Sequence, residues 1–221
     1  MTSDLNRKQL DFESSGKDKV IGWEMTPSEA LVFFKSQEKT VVTFLGFSVD
    51  YENETAMLKI AEDVLAGYSP TTTLINIGAT QGGVGAIYPI AKTRGFMTTG
   101  IVSSLAIEYL EDISDAVDHV CFVGDSQWGG NLPNSNQLSP TSMAMVTCSD
   151  VLVGIGGGKI CRDEMITGRD QGKLVHFYPA EINHEYWTQH AQKMNLPPPD
   201  SFFGAAHDVF GNDPDLWTKN A

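Results

Sequence analysis

Apolar positions along the chain fall into short unbroken runs, and amphipathic stretches separate them. Val41-Val42-Thr43-Phe44-Leu45-Gly46 is β-rich, apolar throughout and closed by glycine, so it predicts a strand buried on both faces. Thr73 to Gly78, Gly100 to Val102, His119 to Gly124, Val151 to Ile155 and Lys173 to Tyr178 repeat that signature. Between them lie helical patterns. Thr26-Pro27-Ser28-Glu29 is a capping box with proline at the first helical position, leading a helix that should end near Ser36-Gln37. From Thr55 to Leu65, Met57, Leu58, Ile60, Ala61, Val64 and Leu65 recur on one helical face. Further helices are predicted over Gly85–Lys92, Leu105–Asp112, Pro140–Met145 and Lys159–Asp170. Residues 125–138, rich in Gly, Asn, Ser and Pro, read as a loop.

Continuously apolar strands alternating with helices predict an α/β fold: a Rossmann-like, doubly wound, mostly parallel sheet with helices on both faces. The expected layout is an N-terminal arm over 1–24, one domain over 25–195, and an aromatic, proline-rich tail over 196–221. Residues 1–20 are polar and of mixed charge, hence the arm. The tail, with Pro197-Pro198-Pro199 and Phe202-Phe203, breaks the alternation and should pack on its own domain or on a partner subunit. No repeat of fixed period occurs.

Composition narrows the function classes. The chain has 221 residues with 28 Asp and Glu against 15 Lys and Arg, a formal charge of -13. Polyanions need clustered cations, so nucleic acid is not expected as a partner, nor an anionic membrane face. Cys121, Cys148 and Cys161 are too few and scattered for a disulfide framework, and no metal-ligand spacing appears. With no apolar leader at the start, a cytoplasmic setting is expected.

The 21 glycines open another route to an anionic small molecule, through backbone N–H groups. In a parallel sheet, ligands bind at the carboxyl ends of the strands, and three of those ends are rich in small residues. They are Gly46-Phe47-Ser48, Gly78-Ala79-Thr80-Gln81-Gly82-Gly83, and Gly156-Gly157-Gly158-Lys159 with Ile160 and Cys161 following. Ser103, after the third of these strands, is a further lining candidate. Neither G-x-G-x-x-G with a downstream acid nor G-x-x-x-x-G-K-[ST] is present; Val84 stands where the latter needs lysine.

The segment from Val151 to Glu164 resembles the P-G-G-x-G-T-x-x-E motif of the "lysine decarboxylase-like" Rossmann proteins. That group includes the LOG cytokinin-activating phosphoribohydrolases, the molybdenum-cofactor carrier proteins and the wider SLOG superfamily. Gly157, Gly158 and Glu164 match, while Gly156, Ile160 and Cys161 replace Pro, Gly and Thr. Ser149-Asp150 matches the Ser-Asp that leads into the strand, and Gly78 and Gly83 match an earlier glycine-rich turn. The resemblance spans roughly residues 40–180. It implies a nucleotide-like ligand with its phosphate on the Gly156–Lys159 turn, no required cofactor, and a homodimer or larger assembly. In the hydrolases the motif Glu works with an Arg from an upstream R-K-x-x-M segment. Here Met145 matches, but Thr141-Ser142 stand where Arg-Lys is expected. Arg94, Arg162 and Arg169 are the alternatives for that charge.

Two functions follow. One is a carrier or sensor that binds a nucleotide or nucleotide-derived molecule. The other is N-glycosidic cleavage of a nucleoside monophosphate, with Glu164 as the catalytic carboxylate. Glu164 could equally be an acid stabilising a helix N-terminus, and Asp163 an ordinary surface acid. Cys161 is expected as a small buried hydrophobe. Trp128 is either a plain loop residue or a ring to stack on a base. His184 reads as loop, and His176 as a satisfied core histidine.

Overall fold

The computed structural model describes residues 9–13 and 19–213. One eight-stranded sheet runs β1 (Gln9–Glu13), β2 (Lys19–Met25), β6 (His119–Val123), β5 (Met97–Ser103), β4 (Thr73–Ile77), β3 (Thr40–Gly46), β7 (Val151–Ile155), β8 (Leu174–Tyr178). Only β1 is antiparallel to its neighbour; every other pairing is parallel. This is the expected α/β Rossmann-like fold. Helices α1 (Pro27–Ser36), α4 (Pro140–Cys148), α5 (Lys159–Asp170) and α7 (Ala205–Phe210) cover one face. Helices α2 (Glu54–Ala66) and α3 (Ile87–Thr93) cover the other, where α6 (His184–Lys193) also packs through Trp187.

The arm expected over 1–24 is, in its described part, the antiparallel pair β1–β2, which extends the sheet beyond β6. The polar, charged residues before it hid this pair, although β2 buries Val20 and Met25 in the core. Trp23 packs on Phe33 and His119. The tail also folds back. Phe202 stacks on His184, Phe203 stacks on His207, and Phe210 of α7 is buried under α5. His184 is therefore not in a loop; it opens α6, whose N-cap is Asn183. The last eight residues of the tail lie outside the described part.

The helix caps follow the sequence. The Thr26 side chain accepts from the Glu29 N–H, and the Glu29 carboxylate accepts from the Thr26 N–H at 2.8 Å. The 104–112 stretch is a 3₁₀ helix rather than an α-helix, and it kinks at Tyr109.

Strand order reverses between β3 and β7: β4, β5 and β6 extend to one side of β3, and β7 and β8 to the other. Two buried tyrosines tie adjacent carboxyl ends together. Tyr51 Oη accepts from the Phe47 N–H at 3.1 Å and donates to the Ile155 carbonyl at 2.7 Å, bridging β3 and β7. Tyr88 Oη does the same between the Ala79 N–H (3.1 Å) and the Thr99 carbonyl (2.8 Å), bridging β4 and β5. Burial drives both phenols far above their ordinary range, so both stay protonated donors. Gly46 is a steric consequence: a Cβ there would lie 2.1 Å from Tyr51 Oη.

A row of buried polar side chains crosses the middle of the sheet. Asn76 donates to Thr43 Oγ1 at 3.2 Å, and Thr99 donates to Asn76 Oδ1 at 3.2 Å. Thr43 Oγ1 lies 2.6 Å from Ser149 Oγ, which donates to the Met145 carbonyl at 2.6 Å. The Asp150 carboxylate accepts from the Val41 N–H at 2.8 Å. Ser149-Asp150 thus anchors the end of α4 to β3.

Tyr51→Phe keeps the ring but removes both bonds. It should destabilise the protein by about 1–3 kcal/mol, because a buried N–H loses its acceptor. A lowered urea midpoint at unchanged m-value is the expected result; an unchanged midpoint would show that the bridge contributes nothing.

Candidate functional site

A cavity of about 710 Å³ opens at the carboxyl ends of β3, β4 and β5, beside the reversal point. That volume is within the usual range for small-molecule sites. Of the residues expected from sequence, Gly46, Ser48, Gly78, Thr80, Gln81, Gly82, Ile160, Cys161 and Glu164 line it. Phe47, Ala79, Gly83, Ser103, Gly156, Gly157, Gly158 and Lys159 do not; most of them act as supports.

Phe47 is buried, and its ring sits where Cβ atoms on Gly156 and Gly204 would fall. Ala79 N–H is held by Tyr88. Gly83 packs against the backbone of residues 47–49. Ser103 caps the following 3₁₀ helix through the Leu105 N–H. Gly156 and Gly157 adopt φ of 58° and 122°, and the Ala206 N–H donates to the Gly157 carbonyl at 3.1 Å. These two glycines are required by their turn. They hold the start of α5 in place from behind the cavity, with no side chain capping that helix. Gly158 is the N-cap residue of α5, and no neighbour would crowd a Cβ there.

Glu164 is the main titratable group of the site. It sits one turn into α5, is 4% exposed, and accepts from Ser142 Oγ at 2.6 Å. Ser142 Oγ in turn accepts from the Gly130 N–H at 2.7 Å. This chain joins α5, α4 and the 125–138 loop. Burial lifts the Glu164 carboxyl from its ordinary value near 4.5 to about 8, Ser142 opposes the rise, and the nearby Asp163 charge adds to it. Glu164 is thus mostly a neutral acid at pH 7. Asp163 is paired with its neighbour Arg162 at 2.8 Å.

The Ser142 contact suits a neutral acid. A lysine at position 142 would favour the carboxylate, whereas a serine hydroxyl bonds a carboxyl without a countercharge. None of the alternative arginines compensates. Arg94 donates to the Glu62 carbonyl, Arg162 pairs with Asp163, and Arg169 lies over Phe210, and none of them lines the cavity. Cys161 is buried as expected, and burial holds its thiol well above the ordinary range, so it is no nucleophile at neutral pH.

The 125–138 loop forms the roof. Asp125 accepts from the Thr141 N–H at 2.9 Å and the Gln127 N–H at 3.0 Å. Burial pushes the Asp125 carboxyl up, but these bonds and the nearby Ser139 and Thr141 hydroxyls outweigh it, and the net shift is downward. Neither hydroxyl makes a hydrogen bond of ordinary length and angle. Trp128 and Tyr109 face each other at the mouth, with centroids 5.9 Å apart.

No family model matches the chain, and no curated protein matches it. Solved structures do. A Moco carrier protein from Chlamydomonas reinhardtii overlaps 70% of this chain and 85% of its own, at 22% identity and a TM-score of 0.47. The molybdenum cofactor binding protein of the phototrophic bacterium Rippkaea orientalis overlaps 63% and 76%, at 20% identity and TM-score 0.45. DNA processing protein A from Streptococcus pneumoniae overlaps 80% and 62%, at 13% identity and TM-score 0.45. The chemistry of the cavity is accordingly read from its own residues.

Sequence reasoning missed several lining residues, Tyr109, Asp112 and Ile113 among them, and the Ser142 partner of Glu164. Ser142 stood out only as a departure from a motif, although it is the partner of Glu164. Tyr109 looked like one more position of a helix, and only the kink turns it to the cavity. Among the described residues no group of three or more His, Cys, Asp or Glu could hold a metal, no helix is long and apolar enough to cross a membrane, and all three cysteines are free.

The Glu164 shift gives a pH signature. A carboxyl that ionises near 4.5 when unfolded and near 8 when folded holds its proton more tightly in the native state. The stability it contributes is complete below pH 4.5 and is lost as pH rises to 8, at up to about 1.4 kcal/mol per pH unit. The difference in unfolding free energy between wild type and Glu164→Gln should therefore shift toward the variant from pH 5 to pH 8. Parallel curves would show that Glu164 titrates normally.

Proposed function

We propose that the chain binds a nucleotide or nucleotide-derived small molecule in this cavity and acts as a carrier or sensor. The observation that carries the reading is the cavity itself, at the carboxyl ends where strand order reverses, with the uncapped start of α5 contributing Ile160 and Cys161 to its wall. The backing of Gly156 and Gly157 by Phe47, Gly204 and Ala206 supports it further, because a preformed turn binds without an ordering cost. No cofactor is part of the proposal.

N-glycosidic hydrolysis is the second reading, and the position of Glu164 on the cavity wall favours it. Three features weigh against it. The carboxyl is mostly protonated at neutral pH, so it offers little negative charge to an oxocarbenium ion. Among the described residues lining the cavity there is no arginine. Ser142 occupies the place of a cation beside Glu164.

Thermal denaturation with nucleosides and their 5′-monophosphates tests binding. At 100 times Kd, a ligand should stabilise by about 2.7 kcal/mol and raise Tm by roughly 5 °C or more. No shift with any member would sink the proposal. Incubation with the monophosphates should release no free base; release that disappears in Glu164→Ala would establish the hydrolase instead.

A further inference from the structure

We infer that the mouth of the cavity is a subsite for an uncharged heteroaromatic ring, stacked on Trp128 and Tyr109 and hydrogen-bonded at its edge by Glu164. This rests on the proposed nucleotide-derived ligand and narrows it to a nucleoside-like molecule, with the ring rather than a phosphate as the recognised group.

The first observation is the aromatic pair. Trp128 is 55% exposed and Tyr109 46%, yet both lie on the cavity wall, at 5.9 Å between centroids and an interplanar angle of 51°. Ile160, 40% exposed, continues the same rim. Large apolar groups left open together at a concave mouth mark a surface that a ligand covers. The pair is held in place. The kink at Tyr109 turns that residue out of the 3₁₀ helix, and the loop carrying Trp128 is tied by Asp125 and by the Gly130–Ser142 bond. Gly130 is packed so closely that a Cβ would lie 3.2 Å from Ile160.

The second observation is charge. Among the described residues lining the cavity, none is Lys, Arg or His, while two are acids, Asp112 and Glu164. In a chain of net charge -13, a multiply charged anion would meet repulsion there and no cation. A neutral ring meets neither penalty. Ile101, Val102, Ala106, Ile113 and Met145 supply apolar contact around it.

The third observation is the direction of the hydrogen bonds. Ser142 Oγ accepts from the Gly130 N–H and donates to Glu164 Oε1. With Ser142 donating to Oε1, the proton of a neutral Glu164 is left for Oε2. A neutral Glu164 then donates to a ligand, which suits a ring nitrogen or an exocyclic carbonyl of a purine or pyrimidine. Its position one turn below Ile160 sets this donor beside the aromatic rim.

The test is calorimetry and tryptophan fluorescence on the full chain with adenosine, guanosine, cytidine, uridine and their 5′-monophosphates. At least one nucleoside should bind as tightly as its monophosphate and quench the fluorescence. Trp128→Ala should weaken it about tenfold or more at unchanged Tm. Trp128→Phe should keep most of the affinity and lose the quench. Glu164→Ala should weaken binding, and Glu164→Gln, which retains a donor, should restore most of it. A monophosphate that binds tenfold more tightly than its nucleoside, with equal affinity in Trp128→Ala, would overturn the ring subsite and leave the cavity's ligand class standing. Absence of binding by every nucleoside and monophosphate would remove both.

Discussion

The structure depends on how two parallel strands part company. β3 and β7 are hydrogen-bonded as far as Gly46 and Ile155, and beyond that point their connections leave in different directions. Parting strands expose backbone groups, and buried backbone groups must find partners. Tyr51 supplies them, placing one hydroxyl between the Phe47 N–H and the Ile155 carbonyl. Gly46 is small because that hydroxyl needs the space, and Phe47 is turned beneath Gly156 and Gly204. The cavity is the opening that remains on the ligand side of this junction.

Around that opening, charge is arranged by subtraction. Among the described residues, the wall has backbone, hydroxyls, the Gln81 amide, apolar groups and two acids, and no basic side chain. Glu164 tolerates burial by keeping its proton, and Ser142 bonds it without adding charge. The same bond reaches Gly130 and the roof loop, so the acid, helix α4 and the aromatic mouth form one connected unit. On the proposed reading the site donates a hydrogen bond and offers flat apolar surface, rather than gripping polyphosphates.

The legible part of the fold was the buried part. Much of strands β3 to β8 reads as apolar runs because both faces are covered, with the buried Thr43, Asn76, Thr98 and Thr99 as polar exceptions. Thr26 and Glu29 marked the first helix because a capping box has a local cause. β1 and β2 were not legible, since the apolar positions of β2 are interrupted by Gly22 and Glu24 and follow a polar, charged stretch. α6 and α7 were not either, since their packing on the domain is set by contacts such as Phe202 on His184 and Phe210 beneath α5.

The glycine-rich strand ends border the cavity, but their division of labour was not legible in the sequence. Gly46, Gly78 and Gly82 face the cavity, whereas Gly83, Gly156 and Gly157 serve the turns that frame it. Composition cannot separate these roles, because both need a residue without a side chain. The acidic balance extends into the cavity wall: among the described residues that line it, two are acids and none is Lys, Arg or His.

Hydrogen–deuterium exchange of the full chain, with and without a saturating nucleoside, addresses the central claim most directly. Binding at the reversal point predicts new protection in 46–48, 78–82, 105–113, 125–130 and 159–164, and none at the opposite strand ends. A second, smaller cavity lies there, lined by Ile21, Lys92, Met97 and His119. Protection confined to that second cavity, with the carboxyl-end segments unchanged, would contradict the account.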